Sequence, residues 1–369
     1  MSELTKDKIF ALILAGGRGT RLWPLTSASR PKAFLSLDGT GVSLLQRTIS
    51  RSLLIANPES IFVVAGKAHE RELRTQAYEV LEENILLEPA GRSTLPCIGF
   101  AGLHIRMRDD SSVMVVLPGE QLIQNEAEFQ NLIECAAETA WEQRCIVTLG
   151  IRPANPATRF GYIQLGDEVA CKHSTQIFKV RGFTEKPDRQ RASEFISSGK
   201  YLWNSGIFIW PTPLLFEMIS RFAPDIYDAL SDIDDVTGTL MEDEIAEQIY
   251  LDMRSVSIDY AIMERAEDIL VIPADMGWND MGTWPEVAEV WEKDSQSNAC
   301  FGQHVGMDSA GCVIYSTDKL VATVGLRDLI VVETPDALLL CAKDRADDLR
   351  ELVERLMEEQ GHCRIENEK

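Results

Sequence analysis

The sequence predicts an α/β fold: a doubly wound, mostly parallel sheet with helices on its faces, followed by a smaller β-rich part. Three observations carry this. Apolar runs without polar alternation, as in Ile9–Leu14, Ser60–Gly66 and Val113–Pro118, are the pattern of strands buried on both faces. Segments of helical periodicity separate those runs, giving a βαβα order. Beyond the polar stretch Asp294–Asn298 the apolar runs become short and are divided by turn residues.

Taken in order, the strand Ile9–Leu14 empties into Gly16, Gly17 and Gly19. Helical spacing covers 43–54, a second buried strand 60–66, and helical spacing resumes over 69–82. A short strand at 85–89, a helix over 96–107, a strand at 113–118, a helix over 126–143 and a strand at 145–150 continue the alternation. Crossovers of this kind are right-handed, and ligands bind at the carboxyl ends of the strands. Gly16, Glu88 and Pro118 lie at such ends. From Arg152 the pattern loosens: strands are expected at 160–165, 177–184, 207–210 and 269–273, a helix at 189–197, and helices across 212–264. In the tail, short strands are expected at 302–307, 311–315, 320–324, 328–334 and 338–342, then an amphipathic helix over 344–359. The domains expected are 1–294 and 295–369.

A chain of 369 residues has room for two domains. Its formal charge of −22 argues against nucleic acid or an anionic membrane as a bulk partner, whereas a small anionic substrate needs only a local cationic pocket. The eight cysteines include no C-x-x-C pair, and the five histidines have no i, i+4 spacing, which disfavours structural zinc and His-based metal sites. Neither a signal-peptide pattern nor an apolar run near ~20 residues is present, so a soluble cytoplasmic protein is expected.

The region from Ile9 to Ser36 has no Asp or Glu, and Arg18, Arg21, Arg30 and Lys32 follow the glycines closely. Glycine lets backbone N–H groups turn toward a phosphate, and the missing acids leave the segment cationic. The loop lacks the Gly-Lys-Ser/Thr of a P-loop and the third glycine of G-x-G-x-x-G, which disfavours hydride-transfer cofactors. Glu120 and Asp280, at strand ends, are candidates to hold Mg²⁺ with substrate phosphates completing its oxygens. Glu185-Lys186-Pro187 presents an acid and a cation at another strand end, and Asn204 offers a donor and an acceptor suited to sugar hydroxyls. With no Ser-His-Asp or Cys-His arrangement visible, the pattern suits direct attack of one substrate oxygen on another substrate's phosphorus.

These residues resemble the mannose-1-phosphate guanylyltransferases, of the bacterial type without a fused isomerase domain. The carriers are Leu14-Ala15-Gly16-Gly17-x-Gly19-x-Arg21-Leu22-Trp23-Pro24-Leu25 with Pro31-Lys32, then Glu88-Pro89-x-Gly91-Arg92-x-Thr94, Phe183-x-Glu185-Lys186-Pro187, Trp203-Asn204-Ser205-Gly206, Ser257-Ile258-Asp259-Tyr260 and Gly277-Trp278-x-Asp280. The resemblance implies a Rossmann-like nucleotidyltransferase core with a small C-terminal β-helical domain. It implies GTP plus a sugar 1-phosphate, foremost mannose 1-phosphate, giving GDP-mannose and pyrophosphate. Leu14, Ala15, Gly16, Gly17, Arg18, Gly19 and Pro118 would hold the nucleotide, with Glu88, Pro89, Gly91, Arg92 and Thr94 at the nucleoside. Arg21, Lys32 and Lys186 would be catalytic, Lys32 at the α-phosphate and Lys186 at the sugar phosphate. Gly161, Tyr162, Glu185 and Asn204 would bind the sugar phosphate, and Glu120 and Asp280 would ligate Mg²⁺ or another divalent cation. A homodimer is a further expectation. Two alternatives stay open: another sugar 1-phosphate as acceptor, or a weakened homologue that binds nucleotide sugar and regulates a partner. Leu117-Pro118-Gly119-Glu120-Gln121 stands where the family usually reads Leu-Pro-Ala-Asp-His, and Ala33 and Ser93 stand where it usually has Gln and Asn.

Overall fold

The computed structural model describes residues 4–17, 19–27, 30–172 and 175–360. A nine-stranded sheet organises it. In chain order its strands are β1 (Ile9–Leu14), β2 (Ile61–Gly66), β3 (Ile85–Glu88), β4 (Val113–Pro118), β6 (Ile146–Ile151), β7 (Tyr162–Lys172), β8 (Thr175–Thr184), β9 (Tyr201–Pro211) and β10 (Ile269–Ala274). Across the sheet they lie in the order β3-β2-β1-β4-β9-β6-β10-β8-β7. The short strands β5 (Leu122–Ile123) and β11 (Trp278–Asn279) form a separate antiparallel ladder.

The first half is parallel, as the βαβα order requires, with β1 between β2 and β4. Three strands depart from that order. β9 runs antiparallel between β4 and β6, and β8 and β7 form an antiparallel extension beside β10. The segment from Trp203 to Gly206, read as leading into a strand, lies within β9, where Gly206 takes a left-handed φ of 74°.

Side-chain alternation splits the core between the two faces. Ile9, Ala11 and Ile13 of β1 pack against α1 (Leu44–Ile55) and α4 (Glu126–Gln143). Phe10 and Leu12 face the cluster that contains α3 (Thr94–Arg108), α6 (Thr212–Phe222), α7 (Pro224–Asp234) and α8 (Glu242–Asp252). A capping box between Ser43 and Gln46 starts α1, and Asn125 caps α4. The helix expected over 69–82 is shorter: α2 ends at Gln76 (Glu70–Gln76), because the chain turns at Ala77 to bring Val80 into the core. Asp188 caps α5 (Arg189–Ser198), and α9 (Trp284–Ala288) follows β11.

The C-terminal part is built from β12 (Ala299–Phe301), β13 (His304–Met307), β14 (Val313–Ser316), β15 (Val321–Val324), β16 (Leu329–Glu333) and β17 (Leu338–Ala342). Parallel pairing of β12 with β14, β14 with β16, and β13 with β15 stacks successive turns of chain as in a β-helix. Helix α10 (Leu349–Gln360) closes it. One core joins this part to the glycine loop: Leu22, Leu35 and Leu37 pack with Trp284, Trp291, Val313, Ile330 and Leu339. No helix among the described residues is long and apolar enough to cross a membrane.

Candidate active site

Two adjoining cavities open at the carboxyl ends of the parallel strands and share Leu14, Gly16 and Thr94. The first, about 610 Å³, is lined by Gly16, Gly17, Glu88, Pro89, Gly91, Ser93, Thr94 and Cys97 among others. The second, about 230 Å³, has walls from Pro118, Glu120, Arg159, Gly161, Glu185, Asn204, Asp259 and Asp280.

Lys32 lies behind two acids of the smaller cavity, Glu120 and Asp280, without lining either cavity itself. Pro31 opens a short 3-10 turn, Lys32–Phe34, and the buried Ala33 and Phe34 anchor it in the core. Lys32 is only 3% exposed. Its Nζ donates to the Asp280 carbonyl at 2.6 Å and lies 3.4 Å from Glu120 Oε1 and 3.7 Å from Asp280 Oδ2. The β5–β11 ladder explains this convergence, since pairing Leu122 with Asn279 brings the segments that carry Glu120 and Asp280 alongside each other. Burial alone would lower the Lys32 pKa; Asp280 and Glu120, with Glu286 behind them, hold it above the ordinary lysine range. Burial raises the Glu120 carboxyl, Lys32 opposes that, and the Asp280 charge adds to the rise.

The glycine loop packs against the same groups. Gly17 adopts φ 137° and Gly19 φ 55°, both unfavourable for side chains. A Cβ at Gly17 would meet Glu120 Oε2 at 3.3 Å, and one at Gly19 would meet Lys32 Cβ at 3.0 Å. Ala15 is buried, and its N–H is bonded to the Val64 carbonyl. Arg18 lies outside the described residues.

In the larger cavity Glu88 is buried at the end of β3. Burial pushes its carboxyl up to about 7, against lowering contacts from the Arg92 N–H and Cys97. Thr94 bridges to the opposite wall, accepting the Ile258 N–H on Oγ1 at 3.0 Å. On the wall of the smaller cavity Glu185 Oε1 accepts from the half-exposed Lys186 at 2.6 Å, and Asn204 donates to Asp259 Oδ1 at 2.9 Å.

Three residues expected at the site point elsewhere. The Arg92 guanidinium binds the Tyr250 carbonyl at 2.8 Å and the Leu251 carbonyl, closing the C-terminus of α8 rather than lining the larger cavity. Tyr162 is fully buried, its hydroxyl on the Ala157 carbonyl and its ring against Phe195. Arg21 reaches Asp347 at 3.5 Å, in the turn before α10. Sequence reasoning missed Arg159, which lines the smaller cavity, lies over the Phe160 ring at 4.5 Å and pairs with Glu286. Glu286 in turn accepts the Gly282 N–H and the Thr283 hydroxyl, both at 3.1 Å, which braces the turn carrying Asp280. It also missed a role for Asp259. The Gln121 amide, buried, donates to the Ser205 carbonyl at 2.6 Å and braces the segment that carries Glu120.

Among the described residues no three His, Cys, Asp or Glu side chains form a protein-only metal cage. The pair Glu120 and Asp280, like-charged, oxygen-donating and open to the cleft, nonetheless fits a hard divalent cation that draws its other ligands from phosphates and water.

A mostly parallel sheet with a cationic glycine loop after its first strand and a buried lysine between two strand-end acids defines a nucleotide-transferring α/β enzyme. Residues 10–297 match the family model described as Nucleotidyl transferase, and residues 302–356 match the MannoseP isomerase/GMP-like beta-helix domain. The mannose-1-phosphate guanylyltransferase of Escherichia coli K12 is 35% identical over 367 residues, covering 97% of this chain and 76% of that protein. That of Klebsiella pneumoniae is 37% identical over 365 residues, covering 95% and 74%. A crystal structure from Thermus thermophilus, described as a mannose-1-phosphate geranyltransferase, superposes with a TM-score of 0.84 at 33% identity, covering 95% of this chain and 99% of that one. The chain belongs to the mannose-1-phosphate guanylyltransferase family.

Proposed function

We propose that the chain transfers GMP from GTP to mannose 1-phosphate. A phosphate oxygen of the sugar forms a bond to the α-phosphorus of GTP, the bond from that phosphorus to the bridging oxygen breaks, and pyrophosphate leaves. The single observation that carries this reading is the buried Lys32 ammonium, held between Glu120 and Asp280, two acids that line the smaller cavity. A fixed cation there stabilises charge that grows on the α-phosphoryl oxygens without rearranging during the reaction. No protein nucleophile is required, because the cleft brings the two substrates together.

Under this reading Leu14 and the backbone of Ala15, Gly16, Gly17 and Gly19 border the triphosphate, with Pro118 beneath. Glu88, Pro89, Gly91 and Thr94 hold the nucleoside. Gly161, Glu185 and Asn204 hold the sugar, and Lys186 its phosphate. Glu120 and Asp280 would hold Mg²⁺ or another divalent cation, which when bound neutralises phosphate charge. The names of the relatives support mannose 1-phosphate and GTP as the substrate pair. Pyrophosphate release, measured over a panel of nucleoside triphosphates and sugar 1-phosphates, tests the assignment. GTP with mannose 1-phosphate should give the highest kcat/KM; no turnover with any pair would overturn it.

A further inference from the structure

The smaller cavity has a second pair of acids in its wall, Glu185 and Asp259, besides Glu120 and Asp280, and Lys186 reaches the first of them from outside the lining. Lys186 takes a left-handed φ of 46°, and its ammonium lies 2.6 Å from Glu185 Oε1. The Glu185 side chain is 6% exposed, and its Oε2 has no hydrogen-bond partner among the described residues. Gly161 leaves that oxygen its space, for a Cβ there would come within 2.5 Å of it. Asp259 opens the helical turn Asp259–Met263 and accepts the Asn204 amide, while the Asn204 carbonyl oxygen accepts the Gly206 N–H at 3.0 Å.

Burial and the Glu185 charge push the Asp259 carboxyl up to about 7, with Lys186 pulling against them. Burial lowers Lys186, but Glu185, Asp259 and Tyr260 outweigh it and hold it above its ordinary range. The other charged groups nearby are Glu264, which accepts the Glu185 N–H, and Glu120, Asp280 and Arg159 across the cavity. Glu185 thus holds the half-exposed Lys186 ammonium in contact, while Asp259, on the wall of the same cavity, feels its charge. A sugar 1-phosphate entering the cavity carries up to two negative charges and competes for that ammonium. Once Lys186 turns to the phosphate, Asp259 loses the charge that pulls its carboxyl down while the Glu185 charge that pushes it up stays, which favours the protonated acid.

We propose that Asp259 is a substrate-positioning residue that takes up a proton from solvent as the sugar 1-phosphate draws Lys186 away from Glu185. The protonated acid then offers a donor to a sugar hydroxyl while Glu185 remains an acceptor, so the pair reads hydroxyl groups in both senses. The inference rests on the assignment of the sugar phosphate to this cavity under the proposed function.

Isothermal titration calorimetry tests it. Mannose 1-phosphate is titrated into the protein with the α,β-methylene analogue of GTP, which blocks transfer, in two buffers of different ionisation enthalpy near pH 7. Wild type should show a buffer-dependent enthalpy equivalent to uptake of roughly half a proton, and affinity should fall about threefold or more between about pH 7 and about pH 8.5. Asp259→Asn can still accept the Asn204 amide, yet should lose that uptake and that slope. The sugar phosphate's own ionisation enters both titrations alike, so the difference between the two proteins is the quantity read. Glu185→Gln, a second variant that breaks the carboxylate pair, should likewise lose the uptake. Equal buffer dependence in wild type and both variants would overturn the proposal. Heat with a different sugar 1-phosphate but none with mannose 1-phosphate would refute the sugar assignment alone, and the proton count would then be read with the sugar that binds. No binding by any sugar 1-phosphate would refute the reading of the cavity and this inference with it.

Discussion

Lys32→Met removes the ammonium while keeping an unbranched side chain in a pocket that is almost closed to solvent. The charges lie 3.4 Å and 3.7 Å from their partners. At an effective dielectric of ~20 each attraction is worth about 4–5 kcal/mol. Both carboxylates are about a quarter exposed, so solvent screens part of this, and burying the lysine has its own penalty. The net loss in stability expected from breaking the cluster is about 3 kcal/mol. The effect on catalysis is larger in ratio: without a cation at the α-phosphoryl, kcat should fall ~10²–10⁴-fold. The pH dependence has a definite sign. A lysine pKa raised by folding stabilises fully below its ordinary value and loses that contribution only as pH rises through the folded value, so near neutrality the Lys32 contribution in wild type is fully present and does not change with pH. In the variant, Glu120 and Asp280 repel, and acid relieves them, so its deficit should be greater at about pH 8 than at about pH 5.5. Thermal melts at both pH values and steady-state pyrophosphate release measure these effects. A variant with kcat within about threefold of wild type and an unchanged melt would refute the reasoning.

Other perturbations test other walls of the cleft. The Glu88 carboxyl is raised to about 7 by burial, so folding holds its proton more tightly than the unfolded chain does, and its ionisation destabilises the fold as pH climbs from about 4.5 to about 7. Glu88→Gln should therefore gain up to about 3 kcal/mol relative to wild type between about pH 5 and about pH 8, read by denaturant melts. Arg92→Ala strips the carbonyls at the end of α8 of their donor and should destabilise by about 1–3 kcal/mol, whereas it removes no side chain from the lining of the larger cavity. Paired melts and GTP titrations separate those two effects. Gly161→Ala places a methyl group against Glu185 and Asn204, so KM for the sugar phosphate should rise about tenfold or more while GTP affinity changes little. Removal of divalent cations with a chelator should abolish turnover, and added Mg²⁺ should restore it, as followed by pyrophosphate release.

The sequence revealed strand ends more readily than side-chain directions. Gly16, Glu88 and Pro118 could be placed at carboxyl ends because unbroken apolar runs mark buried strands, and their helices follow from 3.6-residue spacing. The inverted direction of β9 could not be read, since an apolar run buried on both faces looks alike in either orientation. Lys32, Glu120 and Asp280 were legible as chemistry, but the β5–β11 ladder that gathers them is only two residues long per strand and leaves little pattern. Arg92, Tyr162 and Arg21 belong to recognisable blocks, yet each takes a partner that its block does not contain: the Tyr250 and Leu251 carbonyls, the Ala157 carbonyl and Asp347. Arg159 escaped notice because its partner Glu286 lies 127 residues away. Asp259 belongs to the block Ser257-Ile258-Asp259-Tyr260, and a carboxyl in a single sequence gives no sign of which cavity it lines.

The most direct test of the central claim is a ³¹P NMR time course of the purified protein with GTP, mannose 1-phosphate and Mg²⁺. GDP-mannose diphosphate resonances and pyrophosphate are expected to grow in equal amounts as both substrates decline. Persistence of the substrate signals, or release of phosphate or GMP without a sugar diphosphate, would contradict the guanylyl transfer proposed for this cleft.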